Sequence, residues 1–250
     1  ESPYVVMTSD LLDAFPHRGG KFQIEPDASS GSYFWGANWL LGATEFAAFT
    51  KSMITAPDDT TRREKLADIL KNGRTKVSVA DWPESGWQLD ADFKTFVDFT
   101  VLSLAAEISR ARDLADSIMT AIVLAPFAKS SARFTDLGRL RVQECERVVA
   151  LRTELTKCGA KVIETGDTLE VFPSALHGAE IETYNDHRMA MCFAILGLKI
   201  PGIKIKNPAC VKKTFPNFFQ KLAASPPHGL GATILDASGR PLTHEELFAD

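Results

Sequence analysis

Three stretches of this chain, Tyr33 to Leu41, Ile118 to Ala128 and Met189 to Leu198, are apolar nearly all round. A surface helix buries one stripe, whereas a helix without a polar face must be surrounded, so these three form the inside of the fold with other elements outside. Each follows shortly after an aspartate, Asp27, Asp116 or Asp186. Aspartate before a helix is a natural N-cap. Buried helices that enter in parallel bring their N-termini to one pole and sum their partial positive charges there. A carboxylate at that pole is either a cap or a group with chemistry to do, and for Asp186 the cap is the preferred reading.

A second pattern interleaves with the first. A helix, a glycine and then a strand recur at Leu11 to Phe15 with Gly20 to Ile24, at Leu66 to Leu70 with Gly73 and Lys76 to Val79, and at Leu151 to Leu155 with Gly159 and Lys161 to Ile163. Glycine fits the left-handed position that ends a helix, and the residues after it have strand character. Further strand candidates are Arg133 to Thr135, Thr168 to Phe172 and Gly202 to Lys206. The result is an internally repeated α+β chain. Residues 56–86, with Pro57 and Trp82 and with Trp87 directly after, read as an unusual insertion.

Composition narrows the ligand. A net charge of −4 leaves no broad basic face for nucleic acid, so any positive site is local and suits a small anion. Cys145, Cys158, Cys192 and Cys210 are far apart, show no Cys-x-x-Cys pair and lie mostly in apolar patterns, as buried thiols in a reducing cytoplasm do. The N-terminal residues have no basic region followed by an apolar run. The apolar stretch near Ile118 is interrupted by Thr120 and Pro126, so no membrane span is expected. The five histidines lack zinc-ligand spacing, and Gly229-Leu-Gly231 precedes a strand candidate instead of opening a helix, which excludes a dinucleotide loop.

Three polar segments carry the site. Tyr184-Asn-Asp-His-Arg-Met-Ala-Met191 runs straight into an apolar helix. Asn185 or Asp186 can cap it, and Arg188 adds a full charge beside free backbone N–H groups. Arg139-Leu-Arg-Val-Gln-Glu-Cys-Glu-Arg147 leads into a helix with Cys145, Val148, Leu151, Leu155 and Cys158 at helical spacing, and Glu144 and Arg147 stand three apart. Cys210-Val-Lys-Lys-Thr-Phe-Pro216 holds two lysines in a loop. Taken singly, these segments read as a capped helix with a surface arginine, an ion pair worth about 0.2–0.5 kcal/mol that fits structure and function alike, and a solvated turn.

Taken together they resemble the EPSP synthase (3-phosphoshikimate 1-carboxyvinyltransferase) family. Pro3 to Thr8, Asp27 to Phe34, Asp113 to Thr120 and Glu180 to Thr183 fall in that family's order, and the resemblance runs over residues 1–224, weakly from Lys51 to Arg110. It implies an enolpyruvyl-transferase-like fold of repeated βαβ-type units with buried helices and outer mixed sheets, an inside-out α/β barrel, with the active site between two lobes. Residues 1–25 would complete the first lobe, 26–224 would form most or all of the second, and 225–250 would be a tail of unassigned role. Because the chain opens on Glu1 well inside the family's usual length, a truncated C-terminal part is expected.

The implied reaction moves the enolpyruvyl group of phosphoenolpyruvate to the 5-hydroxyl of shikimate 3-phosphate and releases phosphate, with no metal or organic cofactor. By matching motifs, Arg147, Arg188 and Lys213 would bind phosphoenolpyruvate. Tyr4, Asp116, Arg139 and Gln143 would face shikimate 3-phosphate, with Asp116 deprotonating the 5-hydroxyl and Glu144 shuttling the methylene proton. Asp27 and His187 would lie near the site, His187 as a structural neighbour. Burial is expected to raise the carboxyl pKa values toward neutrality. The chain departs from the family at Gln143, where a basic residue is usual, at Arg139, where Asn is usual, and at Glu1, where a phosphate-binding Ser is expected. Arg139 is therefore expected to replace the missing charge. The partners implied are the two anions and the absent first lobe, without which the chain should be inactive. The alternatives are a non-catalytic lobe that binds anions or a partner chain, and a UDP-N-acetylglucosamine enolpyruvyl transferase-like enzyme, which the Asp186 to Met191 run disfavours.

Overall fold

A computed structural model describes residues 2–54, 58, 60–61, 77–98 and 106–250. Its helices are α1 (Ser2–Ala14), α2 (Ala28–Ile54), α3 (Phe93–Asp98), α4 (Ile118–Leu124), α5 (Arg147–Lys157), α6 (His187–Gly197) and α7 (Phe218–Ala223). The strands are β1 (Ala106–Ser109), β2 (Ala132–Thr135), β3 (Val162–Thr165), β4 (Thr168–Val171), β5 (Glu180–Ile181) and β6 (Lys204–Ile205). One sheet has the order β1-β2-β4-β3, with β1 and β2 parallel and the rest antiparallel; the other pairs β5 with β6 in parallel. Two βαβ units result, β1-α4-β2 and β5-α6-β6, and each helix starts just beyond the C-terminal end of its first strand. Among the described residues no helix is long and apolar enough to cross a membrane.

The all-round apolar segments are buried as their letters require. All seven residues of α4 are buried, as are Met189 to Phe193, Ile195 and Leu196 in α6 and Tyr33, Trp35, Ala37 and Leu40 in α2. Each large side chain so buried contributes about 1.5–3 kcal/mol relative to exposure. Thr120 does not spoil the burial of α4, because its hydroxyl lies 3.1 Å from Ser32 Oγ of α2 and 3.7 Å from Cys192 Sγ of α6. A buried polar chain thus joins the three helices, and satisfied groups of this kind cost little. Pro126 lacks the N–H that an α-helix needs, and the stretch accordingly passes at Ala125–Phe127 into a 3-10 turn.

Some expected elements differ. Gly159, at φ +93°, ends α5 and leads into β3 as the third repeat requires, because a left-handed residue there carries no Cβ penalty for glycine. The first repeat fails, since residues 21–27 follow α1 without pairing into a strand. A strand needs a neighbour, and the local sequence supplies none. The helix and glycine of the second repeat, Leu66 to Gly73, and Lys76 lie outside the described residues, and Val77 to Val79 form no strand. The expected strand at Gly202 to Lys206 shrinks to Lys204–Ile205. From the segment read as an insertion, Val79 and Trp82 pack against the core: Trp82 sits edge-on to Trp35 at 5.8 Å, and Val77 N–H donates to Asn38 Oδ1 at 3.1 Å.

Candidate active site

The loops before α4, α5 and α6 converge with the start of α2. The turn into α6 holds two consecutive left-handed residues, Tyr184 (φ 54°) and Asn185 (φ 56°), and then Asp186 in extended backbone as the cap. Of the two cap candidates Asp186 acts: Oδ1 accepts from Arg188 N–H at 2.8 Å. The strained turn is held from α5 by the fully buried Glu154, which accepts from Tyr184 Oη at 2.8 Å and Glu182 N–H at 3.1 Å and pairs with Lys157. Asn185 Oδ1 instead accepts from Asn207 Nδ2 at 3.1 Å.

Asp186 also does what the sequence did not disclose. Its Oδ2 accepts from Arg147 Nε at 2.7 Å, with side-chain exposures of 0% and 1% for the two residues. Arg147 opens α5, whose N-cap is Glu146, accepting from Val149 N–H at 2.6 Å. The guanidinium donates further to Gln143 Oε1 at 2.5 Å and to Glu144 Oε2, and lies 3.7 Å from Asp116 Oδ2. Glu144 meets Arg147 as the spacing suggests, but from the bend ahead of the helix. Lys213 closes the 3-10 helix Pro208–Lys213 and reaches Glu144 Oε1 at 2.5 Å.

Asp116 lies between two cations, Arg110 Nη2 at 3.1 Å and Arg188 Nη2 at 3.4 Å, and its carboxylate also accepts from the neutral amide Gln143 Nε2 at 3.4 Å. Arg188 also donates to Ser29 Oγ at the start of α2. Tyr4 comes to the same place, its ring 5.5 Å from the Arg110 guanidinium. Asp27 caps α2 through Ser29 N–H at 3.0 Å and Ser30 Oγ at 2.6 Å, two residues from the Arg188 contact. His187 is buried, with Nδ1 3.8 Å from Asp186 Oδ1; burial and the adjacent Arg188 lower its pKa, so it stays neutral.

Arg139 is not in this cluster. It is exposed on the 3-10 helix Leu137–Val142, and no hydrogen bond or ion pair joins it to Asp116 or Gln143. The buried Arg110 stands there instead, a residue whose sole sequence signal is its place ahead of Asp113 to Thr120. Ser29 and Asp90, which no spacing in the sequence singles out, also border the cluster. Asp90 accepts from Ser117 N–H at 2.6 Å at the start of α4, and burial, against that hydrogen bond, pushes its carboxyl up to about 6.

The expected rise of the two central carboxyl pKa values does not occur. Burial does push Asp116 upward, but Arg188, Arg110 and Arg147 outweigh it and hold the group below the usual aspartate range. Burial likewise raises Glu144, but Lys213 and Arg147 pull it down to about 2. Both are therefore ionised bases. A depressed acid stabilises the fold fully above its unfolded value of 4.5 and loses that contribution as the pH falls through about 2. Urea titrations of Glu144→Gln should then show a shallower loss of stability than the wild type across this acid window. Parallel curves would mean that Glu144 has no stabilising ion pair.

Comparison with known proteins gives a consistent set of likenesses. The family model described as EPSP synthase (3-phosphoshikimate 1-carboxyvinyltransferase) matches residues 13–222. A 3-phosphoshikimate 1-carboxyvinyltransferase from Nostoc punctiforme is 35% identical over 204 residues, which are 80% of this chain and 43% of the relative. One from Tolumonas auensis is 33% identical over 210 residues, 82% of this chain and 44% of the relative. The chain thus spans less than half the length of these curated relatives. A solved EPSP synthase from Acinetobacter baumannii aligns over 43% of this chain and 26% of its own, at 29% identity and a TM-score of 0.41.

Proposed function

Since the chain belongs to the EPSP synthase family, we propose that it supplies the second-lobe half of an active site that transfers the enolpyruvyl group of phosphoenolpyruvate to the 5-hydroxyl of shikimate 3-phosphate. The observation that carries this reading is the junction of Arg147, Arg188 and Lys213 through two ionised carboxylates, Asp116 and Glu144, where the helices begin. Guanidinium forks and helix N-termini suit phosphate and carboxylate groups. Arg188 and Lys213 are the accessible cations, at 17% and 57% side-chain exposure. Arg147, already engaged by Asp186, Gln143 and Glu144, reaches a ligand only when Glu144 yields.

The exchange of partners gives each carboxylate its role. Phosphoenolpyruvate draws Lys213 and Arg147 to its own anionic groups, which removes the charges that depress Glu144 and lets that carboxyl hold a proton. Asp116 takes the proton of the 5-hydroxyl, the oxygen bonds to C2 of phosphoenolpyruvate, and Glu144 protonates the C3 methylene. Glu144 then recovers a proton from C3 as the C2–O bond to phosphate breaks, and Asp116 gives up the hydroxyl proton to the departing phosphate. Tyr4 and Arg110 border the shikimate side, where Arg110 supplies the charge that Gln143 lacks.

The domain reading follows from the same likeness. Residues 1–25 belong to the first lobe and 26–224 to the second, and the exposed Val5, Val6, Leu12, Phe15 and Ile24 support burial of this N-terminal segment against further chain. The four thiols are free, which supports a reducing compartment such as the cytoplasm. Calorimetry with each substrate tests the whole reading: weak phosphoenolpyruvate binding and no turnover are expected of this chain alone. No heat with either ligand sinks the assigned site, and product formed by the purified chain sinks the half-site view.

A further inference from the structure

We propose that residues 225–250, which lie beyond the family match, form a strap that fixes the backbone around Lys213 and so sets the phosphoenolpyruvate subsite. The second half of this statement rests on the function proposed above. The strap begins flush with the end of α7: a Cβ on Gly229 would stand 2.4 Å from the carbonyl oxygens of Lys221 and Ala224, a distance only glycine permits. Gly231 N–H and Ala232 N–H then donate to Ala224 and Leu222 carbonyls, each at 2.9 Å. The chain folds back on itself through Leu242 N–H to Ile234 O and Asp236 N–H to Arg240 O, both 2.9 Å. Arg240 grips Glu246 with two nitrogens at 3.0 and 2.9 Å.

This folded tail returns to the site loop. Leu247 and Ala249 are 6% and 7% exposed within the main core, so the end of the strap is packed and not merely draped. Two hydrogen bonds then bracket Lys213. Ala249 N–H donates to Pro216 O at 2.9 Å, and Lys212 Nζ donates to Asp250 O at 2.9 Å. Phe215 anchors the same loop from inside, 5.6 Å from the Phe218 ring. A loop held on both sides places its lysine before the ligand arrives, and less ordering entropy is lost on binding.

The test measures amide exchange over residues 210–216 in the free protein and phosphoenolpyruvate affinity by calorimetry, in Leu247→Asp and Lys212→Met. Exchange over this loop should rise about tenfold in Lys212→Met, the equivalent of one lost hydrogen bond, and further in Leu247→Asp, while β2 and β4 keep the wild-type rate. Phosphoenolpyruvate affinity should fall in the same order and shikimate 3-phosphate affinity should hold. Lys212→Met removes no buried group, so it decides the matter if Leu247→Asp fails to fold. Wild-type exchange over 210–216 in Lys212→Met, or a rise spread equally over the whole chain, overturns the strap. Faster loop exchange in a protein whose wild type binds no phosphoenolpyruvate upholds the strap and overturns the assigned ligand.

Discussion

Arg147→Met should destabilise the chain by about 3–5 kcal/mol, because it leaves the buried Asp186 carboxylate without its charged partner. That is a large part of a domain stability of about 5–15 kcal/mol. The loss comes from stranding a charge, not from the net worth of the pair, and this makes a second variant informative. Asp186→Asn keeps an oxygen to cap α6 but removes the charge, so the double variant Arg147→Met, Asp186→Asn should recover part of the stability. Anion binding should recover in neither. Urea unfolding of the wild type, the single and the double variant checks the argument. A single variant within 1 kcal/mol of wild type, on the order of one ordinary hydrogen bond, would show that this pair does not hold α5 to α6.

Arg188→Met should weaken phosphoenolpyruvate binding by about 30-fold to several thousandfold, since loss of one member of a desolvated charge pair costs about 2–5 kcal/mol. Arg188 touches Asp116 and Ser29 at once, through Nη2 and Nη1. Only a planar fork spans both, so Arg188→Lys should restore little of the affinity although it restores the charge. Calorimetry on the two variants separates fork from charge. Full recovery by lysine would reduce Arg188 to a point charge and remove the argument for its geometry.

The site was legible in part, and the division has a physical basis. Arg147, Arg188, Lys213, Glu144 and Asp116 are joined by contacts, as the motif order led one to expect. Burial alone predicts raised carboxyl pKa values, but the three arginines and one lysine that meet Asp116 and Glu144 reverse the sign, and these come from segments far apart in the chain. Arg139 was expected on the shikimate side, whereas Arg110 is the arginine that meets Asp116. Arg110 reaches Asp116 from the end of β1, a placement that no motif in the sequence signals.

The letters alone determined which three helices are inside, that Asn185 or Asp186 caps one of them and that Gly159 ends α5, because solvation of a helix face and satisfaction of its end are settled within a few residues. Tertiary structure decided the partners. Arg147 finds Asp186 across 39 positions and Arg188 finds Ser29 across 159. A buried ion chooses its counter-ion by which backbones pack together, and so the same arginines that a motif can name acquire their charge environment only when α2, α5 and α6 meet. The tail shows the same division, for nothing in its composition says that Ala249 will return to Pro216.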